Sequence, residues 1–296
     1  MKKTHPLARL HLAFIGAGAM AESMIGGLLS RHRLDPGHMT ASDKHRERLH
    51  EIRDRFHVHT TLDNRTAARK GQVVVLAVKP QVLPAVFAEL HGKIKRDALV
   101  VSIVAGTTIE SIATGLRHRA IVRTMPNTPA QVGEGMTVWT ATPEVSASQR
   151  EQARAIVSAL GHQLYVDDEH FLDMATAISG SGPSYVFLLM EALIDAAVHL
   201  GFSRADAREL VVQTIRGSAH FAERSTAHPA EMRNMVTSPG GTSADALYQL
   251  EKGGFRTIIS KAVLAAYQRS VALGQMSTKL ATESRPVRKT RKRKRT

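Results

Sequence analysis

Continuous apolar runs alternate with amphipathic segments along the first half of the chain. The runs VVVLAV (73–78), LVVSIV (99–104) and AIVRTM (120–125) are typical of strands buried on both faces of a sheet. Strands are predicted at 10–15, 38–42, 73–78, 99–104, 120–125, 136–142 and 162–167, and helices at 20–29, 43–56, 81–90, 108–116 and 148–160. This alternation predicts an α/β fold that begins with a Rossmann-like, doubly wound parallel sheet.

The pattern changes after about residue 168, where strand signals stop. Helices are predicted at 184–200, 204–223 and 260–273, and a further one after the stretch TSPGG. The second half is therefore predicted to be an all-helical C-terminal domain. We divide the chain into a dinucleotide-binding Rossmann domain at 1–167, a helical domain at 168–276 and a tail at 277–296.

The net charge of +14 is concentrated in that tail. Residues 285–296, RPVRKTRKRKRT, contain eight Lys and Arg residues and no acid, so their removal leaves +6 on the other 284 residues. A run of like charges is usually solvated and disordered, and it binds nucleic acid only loosely. We predict a basic disordered tail and expect nucleic-acid contact, if any, only there.

Cysteine is absent, which excludes disulfides, thiolate catalysis and cysteine-ligated metals. No metal site is predicted. The apolar segment 185–200 carries Glu191, Asp195 and His199, and it is too short and too charged to span a bilayer. We therefore predict a cytoplasmic protein that does not enter a membrane.

A glycine loop follows the first predicted strand. FIGAGAMA (14–21) has the form G-x-G-x-x-A and leads from a strand into a helix, which is the context that dinucleotide binding requires. Gly16 makes the tight turn, Gly18 lets a pyrophosphate approach the backbone, and Ala21 permits close packing of the helix on the strand. The loop, including Ala17, Ala19 and Met20, is predicted to bind the cofactor.

The end of the second strand gives two interpretations of the cofactor's 2′ position. Asp43 is suited to a ribose diol and favours NADH, whereas Ser42, Lys44 and Arg46 are suited to a 2′-phosphate and favour NADPH.

Two further segments lie at the same predicted sheet edge. Lys79 in AVKPQ (77–81) is suited to a cofactor ribose or phosphate, or is a solvated lysine at a strand end. Asn127 and Thr128 either orient a nicotinamide or satisfy the backbone of a turn.

The stretch TSPGGTS (237–243) introduces a helix after two flexible glycines. It is either an ordinary capped helix, with Thr242 or Ser243 as the N-cap, or an anion site at a helix N-terminus. The apolar helix at 184–200 contains no Lys or Arg, which argues against alcohol oxidation because that reaction needs a base. Imine reduction has no such requirement, since a protonated imine is already electrophilic.

Taken together, FIGAGAMA, AVKPQ, RTMPNTP, ISGSGPSYVF and SPGGTS resemble the pyrroline-5-carboxylate reductase family, in order and over about residues 10–276. The resemblance implies reduction of 1-pyrroline-5-carboxylate to L-proline by NADPH, with NADH as the alternative, in the last step of proline biosynthesis. It also implies that the helical domain binds substrate and forms dimers that assemble further, often to decamers.

The resemblance assigns residues to the two ligands. Asn64 would lie near the adenosine ribose, and Val78, Lys79, Pro80 and Ala105 would line the nicotinamide side. The predicted substrate residues are those of the SPGGTS turn and of the ISGSGPSYVF motif: Gly241, Thr242, Ser243, Ser179 and Ser181. Many relatives carry two threonines after PGG and an aspartate a few residues before it, whereas this chain has Ser243 and Asn234.

No residue is assigned as the acid or base, because the imine can arrive protonated or take its proton from solvent. Two alternatives remain open from the sequence. One is a reductase of another cyclic imine, and the other is a non-catalytic dinucleotide-binding protein with a nucleic-acid-binding tail.

Overall fold

A computed structural model describes residues 5–31 and 34–283 of the chain. The predicted basic run at 285–296 lies outside these residues. The strands are β1 Leu12–Ile15, β2 Met39–Ser42, β3 His59–Thr61, β4 Val73–Leu76, β5 Leu99–Ser102, β6 Ile121–Met125, β7 Gly135–Ala141 and β8 Gly161–Tyr165. The helices are α1 Ala19–Ser30, α2 Arg46–Phe56, α3 Asn64–Lys70, α4 Leu83–Leu90, α5 Ile109–Leu116, α6 Ala147–Val157, α7 Phe171–Ala175, α8 Gly182–His199, α9 Arg204–Glu223, α10 Pro229–Met235, α11 Thr242–Lys252 and α12 Phe255–Glu283.

All eight strands form one sheet in the order β3-β2-β1-β4-β5-β6-β7-β8. Neighbours from β3 to β6 are parallel, whereas β7 runs antiparallel to β6 and β8 runs parallel to β7. The order reverses at β1, and a doubly wound sheet binds its ligands at such a switch point. The predicted Rossmann-like α/β fold is confirmed, with β7 and β8 as a reversed extension.

The sheet is covered on both faces because its central strands are apolar on both sides. One hydrophobic cluster packs residues of α1, α2 and α6, such as Met24, Ile52 and Ile156, against one face of the sheet. The other packs residues of α3 to α5, such as Phe87 and Leu116, against the opposite face. This layering fixes the carboxyl ends of β1, β2 and β4 at one edge.

The sequence pattern missed several short elements. Strand β3 is a three-residue edge strand, and α3 begins at an Asp63 cap whose carboxylate accepts from the backbone N–H groups of Arg65 and Thr66. The short helices α7 and α10 were also missed, and α12 is far longer than the predicted 260–273. Its helical backbone continues through residues 277–283, which were expected to be disordered.

The chain contacts divide it into two compact units. The first comprises the described residues up to Gly180 and those from Ala266 onwards, and the second is Ser181–Ala265. The division therefore falls later than the predicted residue 168, because Leu172 and Ala175 pack on Val138 of the sheet. The C-terminal part of α12 also belongs to the first unit, which a boundary drawn from local pattern does not reveal.

The helical stretch Phe171–His199 is longer than the segment considered in the sequence. By length and composition alone it is apolar enough to cross a membrane, although one such stretch is weak evidence. Much of its apolar surface is exposed in the single chain, including Phe187 and Leu188. A partner surface is one explanation of such exposure.

Candidate functional site

A cavity of about 450 Å³ opens at the carboxyl edge of β1, β2 and β4. It lies where the order of the sheet reverses and where α/β folds bind nucleotides. Its lining residues are Gly16, Gly18, Ser42, Asp43, Lys44, His45, Arg48, Asn64, Ala77, Val78, Lys79, Val82 and Val86. Valines form an apolar wall, and lysine, histidine and arginine side chains add basic groups to it.

The glycine loop forms one side of this cavity. Gly16 has φ of +96°, and a Cβ there would lie 2.6 Å from the carbonyl oxygen of Ala77, so a side chain is excluded. A Cβ at Gly18 would meet nothing within 4 Å, so this position borders open space. Helix α1 starts directly afterwards with Gly18 as its N-cap and no side-chain cap bond. The first N–H groups of α1 are therefore suited to a phosphate.

Asp43 directs its carboxylate towards the protein backbone. Its Oδ2 accepts from the N–H of Ala17 at 2.9 Å, and its Oδ1 accepts from the N–H of His45 at 3.1 Å and bonds His45 Nδ1 at 2.9 Å. Burial acts to raise the pKa of Asp43, but the Ala17 and His45 hydrogen bonds prevail and lower it below its usual range. The carboxylate is thus ionised and held inward.

The candidates for a 2′-phosphate are separated by the structure. Ser42 is fully buried, and its Oγ bonds the carbonyl oxygen of Phe14 at 3.1 Å and Asn64 Oδ1 at 2.8 Å. Arg46 lines a different cavity, between α2 and the end of β3, together with Leu62. Of the three residues proposed from the sequence, Lys44 is the one whose exposed side chain lines the cofactor cavity.

Asn64 joins two elements at the cavity. Besides its contact with Ser42, its Nδ2 donates to Glu89 Oε2 at 2.5 Å. The predicted asparagine therefore lines the cavity at the N-terminus of α3 with its orientation fixed from both sides.

Arg48 lines the cavity and was not among the predicted site residues. Its Nε donates to the carbonyl oxygen of Ala17 at 2.7 Å, and its other nitrogens bond Glu51 at 2.8 Å and Glu22. Burial acts to lower the pKa of Arg48, but the bonds with Glu22 and Glu51 raise it above its usual value. The sequence offered only a charged helix at this position.

The residues expected on the nicotinamide side follow β4 and β5. Val78 and Lys79 line the cavity, whereas Pro80 begins a 3-10 turn just outside its lining. Ala105 is half-buried after β5, and Gly106 beside it has φ of +66°. A Cβ on Gly106 would lie 2.8 Å from Cβ of Leu273, so α12 packs closely against this turn.

Asn127 satisfies backbone groups, which favours the second of its two interpretations. Its Oδ1 accepts from the N–H of Met136 at 2.9 Å, and its Nδ2 donates to the carbonyl oxygen of Ser179 at 3.0 Å. It therefore fastens the π-helical segment 176–180 to the start of β7. Ser179 Oγ in turn donates to the carbonyl oxygen of Ala175 at 3.0 Å, so this predicted substrate residue uses its hydroxyl within the helix.

The other predicted substrate residues lie in the second unit. Gly240 has φ of +70° and Gly241 is the N-cap of α11, with no side-chain cap bond. The prediction that Thr242 or Ser243 caps this helix is wrong, because both already lie in its first turn. Their N–H groups and those of α11's first turn consequently have no capping hydroxyl. Ser181 similarly stands at the N-cap of α8 without a side-chain cap bond.

A second cavity, of about 670 Å³, lies between α1, the end of α2 and the turn after β6. Its charged residues include Glu22 and Arg55, which pair with each other. The smaller cavity is the candidate for the cofactor, because the glycine loop and the reversal of strand order meet there. Within the described residues, no group of three or more His, Asp or Glu side chains is arranged to hold a metal ion.

Comparison with known proteins covers both halves of the chain. Residues 169–273 match the family model described as pyrroline-5-carboxylate reductase dimerisation. Residues 11–106 match the one described as NADP oxidoreductase, coenzyme F420-dependent. The first match contains the helical stretch with exposed apolar residues, and the second contains the glycine loop.

Individual relatives align over nearly their whole length. The pyrroline-5-carboxylate reductase of a Synechocystis strain is 42% identical over 266 residues, covering 90% of this chain and 99% of the relative. The solved structure of a pyrroline-5-carboxylate reductase from Coxiella burnetii is similar with a TM-score of 0.80 and 38% identity, covering 89% of this chain and 98% of that one. The structure of the Plasmodium falciparum pyrroline carboxylate reductase, solved with NADP bound, is similar with a TM-score of 0.82 and 31% identity, covering 90% of this chain and 98% of that one.

Proposed function

Because the chain belongs to the pyrroline-5-carboxylate reductase family, we infer that it reduces 1-pyrroline-5-carboxylate to L-proline with NADPH, the last step of proline biosynthesis. The observation that carries this inference is the 42% identity to a pyrroline-5-carboxylate reductase over 99% of that relative. The similarity therefore spans the glycine-loop cavity and the helical region alike.

The cofactor's proposed position rests on the fit of the cavity. The glycine loop Gly16–Ala21 would hold the pyrophosphate at the N-terminus of α1, and Asn64 would lie near the adenosine ribose. Val78 and Lys79 from the turn after β4, with Pro80 and Ala105 beside them, would line the nicotinamide side. When bound, NADPH supplies the hydride for the imine carbon.

Lys44 is the proposed contact of the 2′-phosphate. It lines the cavity, whereas Ser42 is buried and Arg46 lies elsewhere. Asp43 was the sequence feature favouring NADH, but both of its carboxylate oxygens already form hydrogen bonds, one with Ala17 and one with His45. A lysine ammonium beside a phosphate is a charge-assisted contact that NADH lacks.

The substrate carboxylate is proposed to bind the N-terminus of α11. Thr242 and Ser243 present first-turn N–H groups without a side-chain cap, next to the Gly241 N-cap, whose own N–H donates to the carbonyl oxygen of Ser238 at 3.0 Å. The helix dipole favours an anion there. The hydroxyls of Thr242 and Ser243 are further donors. Ser179 and Ser181 stay in the proposal, Ser179 through its backbone because its hydroxyl bonds within its helix.

No side chain is assigned to proton transfer. The ring nitrogen can arrive protonated or take its proton from water, so the residues need only bind and orient the two reactants.

A homo-oligomer is the proposed state of the enzyme. Residues 169–273 match the family's dimerisation model, and this range contains many large apolar side chains that are exposed in the single chain. Covering them with a second copy would remove apolar area from water. We propose a dimer as the smallest assembly that covers this surface, and a decamer as the larger one. The proposed location is the cytoplasm.

The function is tested by the loss of reduced-cofactor absorbance after 1-pyrroline-5-carboxylate is added, with NADPH and NADH in parallel. Rapid turnover with NADPH and formation of proline are expected. A six-membered cyclic imino acid serves as the control for another cyclic-imine reductase. Tight NADPH binding without turnover on either ring would refute the proposed reaction and favour a non-catalytic dinucleotide-binding protein.

A further inference from the structure

The backbone of Ala17 is held from both of its polar groups by side chains of the segment that follows β2. Its N–H donates to Asp43 Oδ2 at 2.9 Å, and its carbonyl oxygen accepts from Arg48 Nε at 2.7 Å. Ala17 itself is fully buried and stands between Gly16 and Gly18. One acidic and one basic side chain thus hold the central residue of the glycine loop by hydrogen bonds.

Each of the two side chains is itself held in place. The other oxygen of Asp43 accepts a hydrogen bond from the backbone N–H of His45 and also bonds Nδ1 of that residue. The other nitrogens of Arg48 bond Glu51, on the same helix, and Glu22, in the first turn of α1. The connection after β2 is therefore joined both to the glycine loop and to the helix that the loop introduces.

Gly16 is needed in this loop because of its positive φ and its close approach to Ala77, but glycines at 16 and 18 leave the loop conformationally free. A loop that has to aim N–H groups at a pyrophosphate loses affinity when it samples other conformations, because the binding-competent fraction falls. The two bonds to Ala17 restrict that sampling without occupying Gly18 or the N-terminus of α1.

We propose that Asp43 and Arg48 are positioning residues that preorganise the glycine loop for the cofactor's pyrophosphate, and that Asp43 does not read the ribose 2′ position. The proposal rests on the dinucleotide site of the proposed function. It predicts that damage to either side chain weakens NADPH and NADH equally, since both carry the same pyrophosphate. A ribose-reading Asp43 would instead change their ratio.

The test is calorimetric binding of NADPH and of NADH in the absence of imino acid. Asp43→Asn keeps the shape of the side chain and removes its charge and part of its accepting capacity. We expect both dissociation constants to rise roughly tenfold, with their ratio unchanged within about a factor of two. Asp54→Asn is the matched control, because Asp54 lies on the exposed side of α2 and pairs only with Arg53 among the described residues; it should leave both constants unchanged.

Arg48→Lys changes the side chain that bonds the carbonyl oxygen of Ala17, and it retains a positive charge beside Glu22. It should also weaken both cofactors equally, and it tests the proposal if Asp43→Asn does not fold. In turnover, KM for the cofactor should rise while kcat at saturating cofactor and KM for the imino acid stay constant.

A selective loss of NADH binding in Asp43→Asn, by about fivefold or more with NADPH unaffected, would overturn the proposal and restore Asp43 as a ribose reader. Unchanged constants in both variants would overturn it as well. Failure of the wild-type protein to bind either dinucleotide would be a different result, because it would refute the proposed function itself.

Discussion

Replacing Gly106 by alanine tests how α12 meets the turn after β5. Gly106 has φ of +66°, and a Cβ there would lie 2.8 Å from Cβ of Leu273. The left-handed backbone costs an alanine roughly 1–2 kcal/mol. The overlap with Leu273 adds roughly 1–3 kcal/mol, because a close-packed contact has to move apart. We therefore expect Gly106→Ala to lower the free energy of unfolding by about 2–5 kcal/mol in sum.

Gly92 provides a matched control for the backbone term. Its φ is +65°, nearly the same as that of Gly106, but a Cβ there would meet nothing within 4 Å. Backbone strain alone should therefore lower the free energy of unfolding of Gly92→Ala, by roughly 1–2 kcal/mol. The difference between the two variants isolates the contact with α12.

Urea unfolding of both variants and the wild type at one fixed protein concentration measures this difference, because association makes apparent stability depend on concentration. Gly106→Ala should also raise KM for NADPH, since Ala105 borders the proposed nicotinamide side. If Gly106→Ala is no more destabilising than Gly92→Ala, the close contact between Leu273 of α12 and this turn is refuted.

Three further predictions concern the ligands and pH. Ser243→Ala should raise KM for the imino acid by roughly tenfold through loss of a charge-assisted bond, whereas Ser218→Ala, on α9, should leave it unchanged; equal KM values would remove Ser243 from the carboxylate site. Lys44→Ala should raise the KM for NADPH about tenfold and spare NADH, whereas Lys93→Ala should affect neither; a parallel rise for both cofactors would contradict the 2′-phosphate contact. Burial, and after it nearby positive charges, lowers the pKa of His11 from 6.5 to about 4. Between these two values the unfolded chain binds a proton at His11 and the folded protein does not, so the free energy of unfolding should fall as the pH drops from 6.5 towards 4. His11→Gln should flatten this dependence in thermal unfolding measured against pH, and an unchanged slope would show that His11 is not its source.

Much of the first unit could be predicted because its central strands β1 and β4 are wholly apolar and β5 is nearly so. A short run rich in valine such as VVVLAV favours a strand covered on both faces. The glycine loop after β1 follows from the requirement for a tight turn. Strand β3 escaped prediction because HTT has three residues and no apolar face. The reversal of β7 was also hidden, since strand direction depends on the connection and not on the strand's own pattern.

The site was predictable at its backbone positions and less so at its side chains. Ser42 ends β2 and Asp43 follows it as expected, yet which way each one points depends on Ala17 and Asn64, which are distant in sequence. Arg48 resembles every other arginine of a charged helix until the fold brings it against the glycine loop. The N-cap of α11 was misassigned because hydroxyl residues usually cap helices, whereas here Gly241 does so and Thr242 and Ser243 fall inside the helix.

The first unit is discontinuous in the chain, and this has a consequence for synthesis. Ser270 on α12 bonds Asp173 at 2.8 Å, Tyr267 bonds His170 at 2.9 Å, and Leu273 meets the turn at Gly106. These contacts form only after the ribosome has made all of the second unit and most of the last helix. A nascent chain of 180 residues therefore contains every strand of the sheet but lacks the part of α12 that packs on Gly106, so the turn after β5 is covered only once α12 has been synthesised.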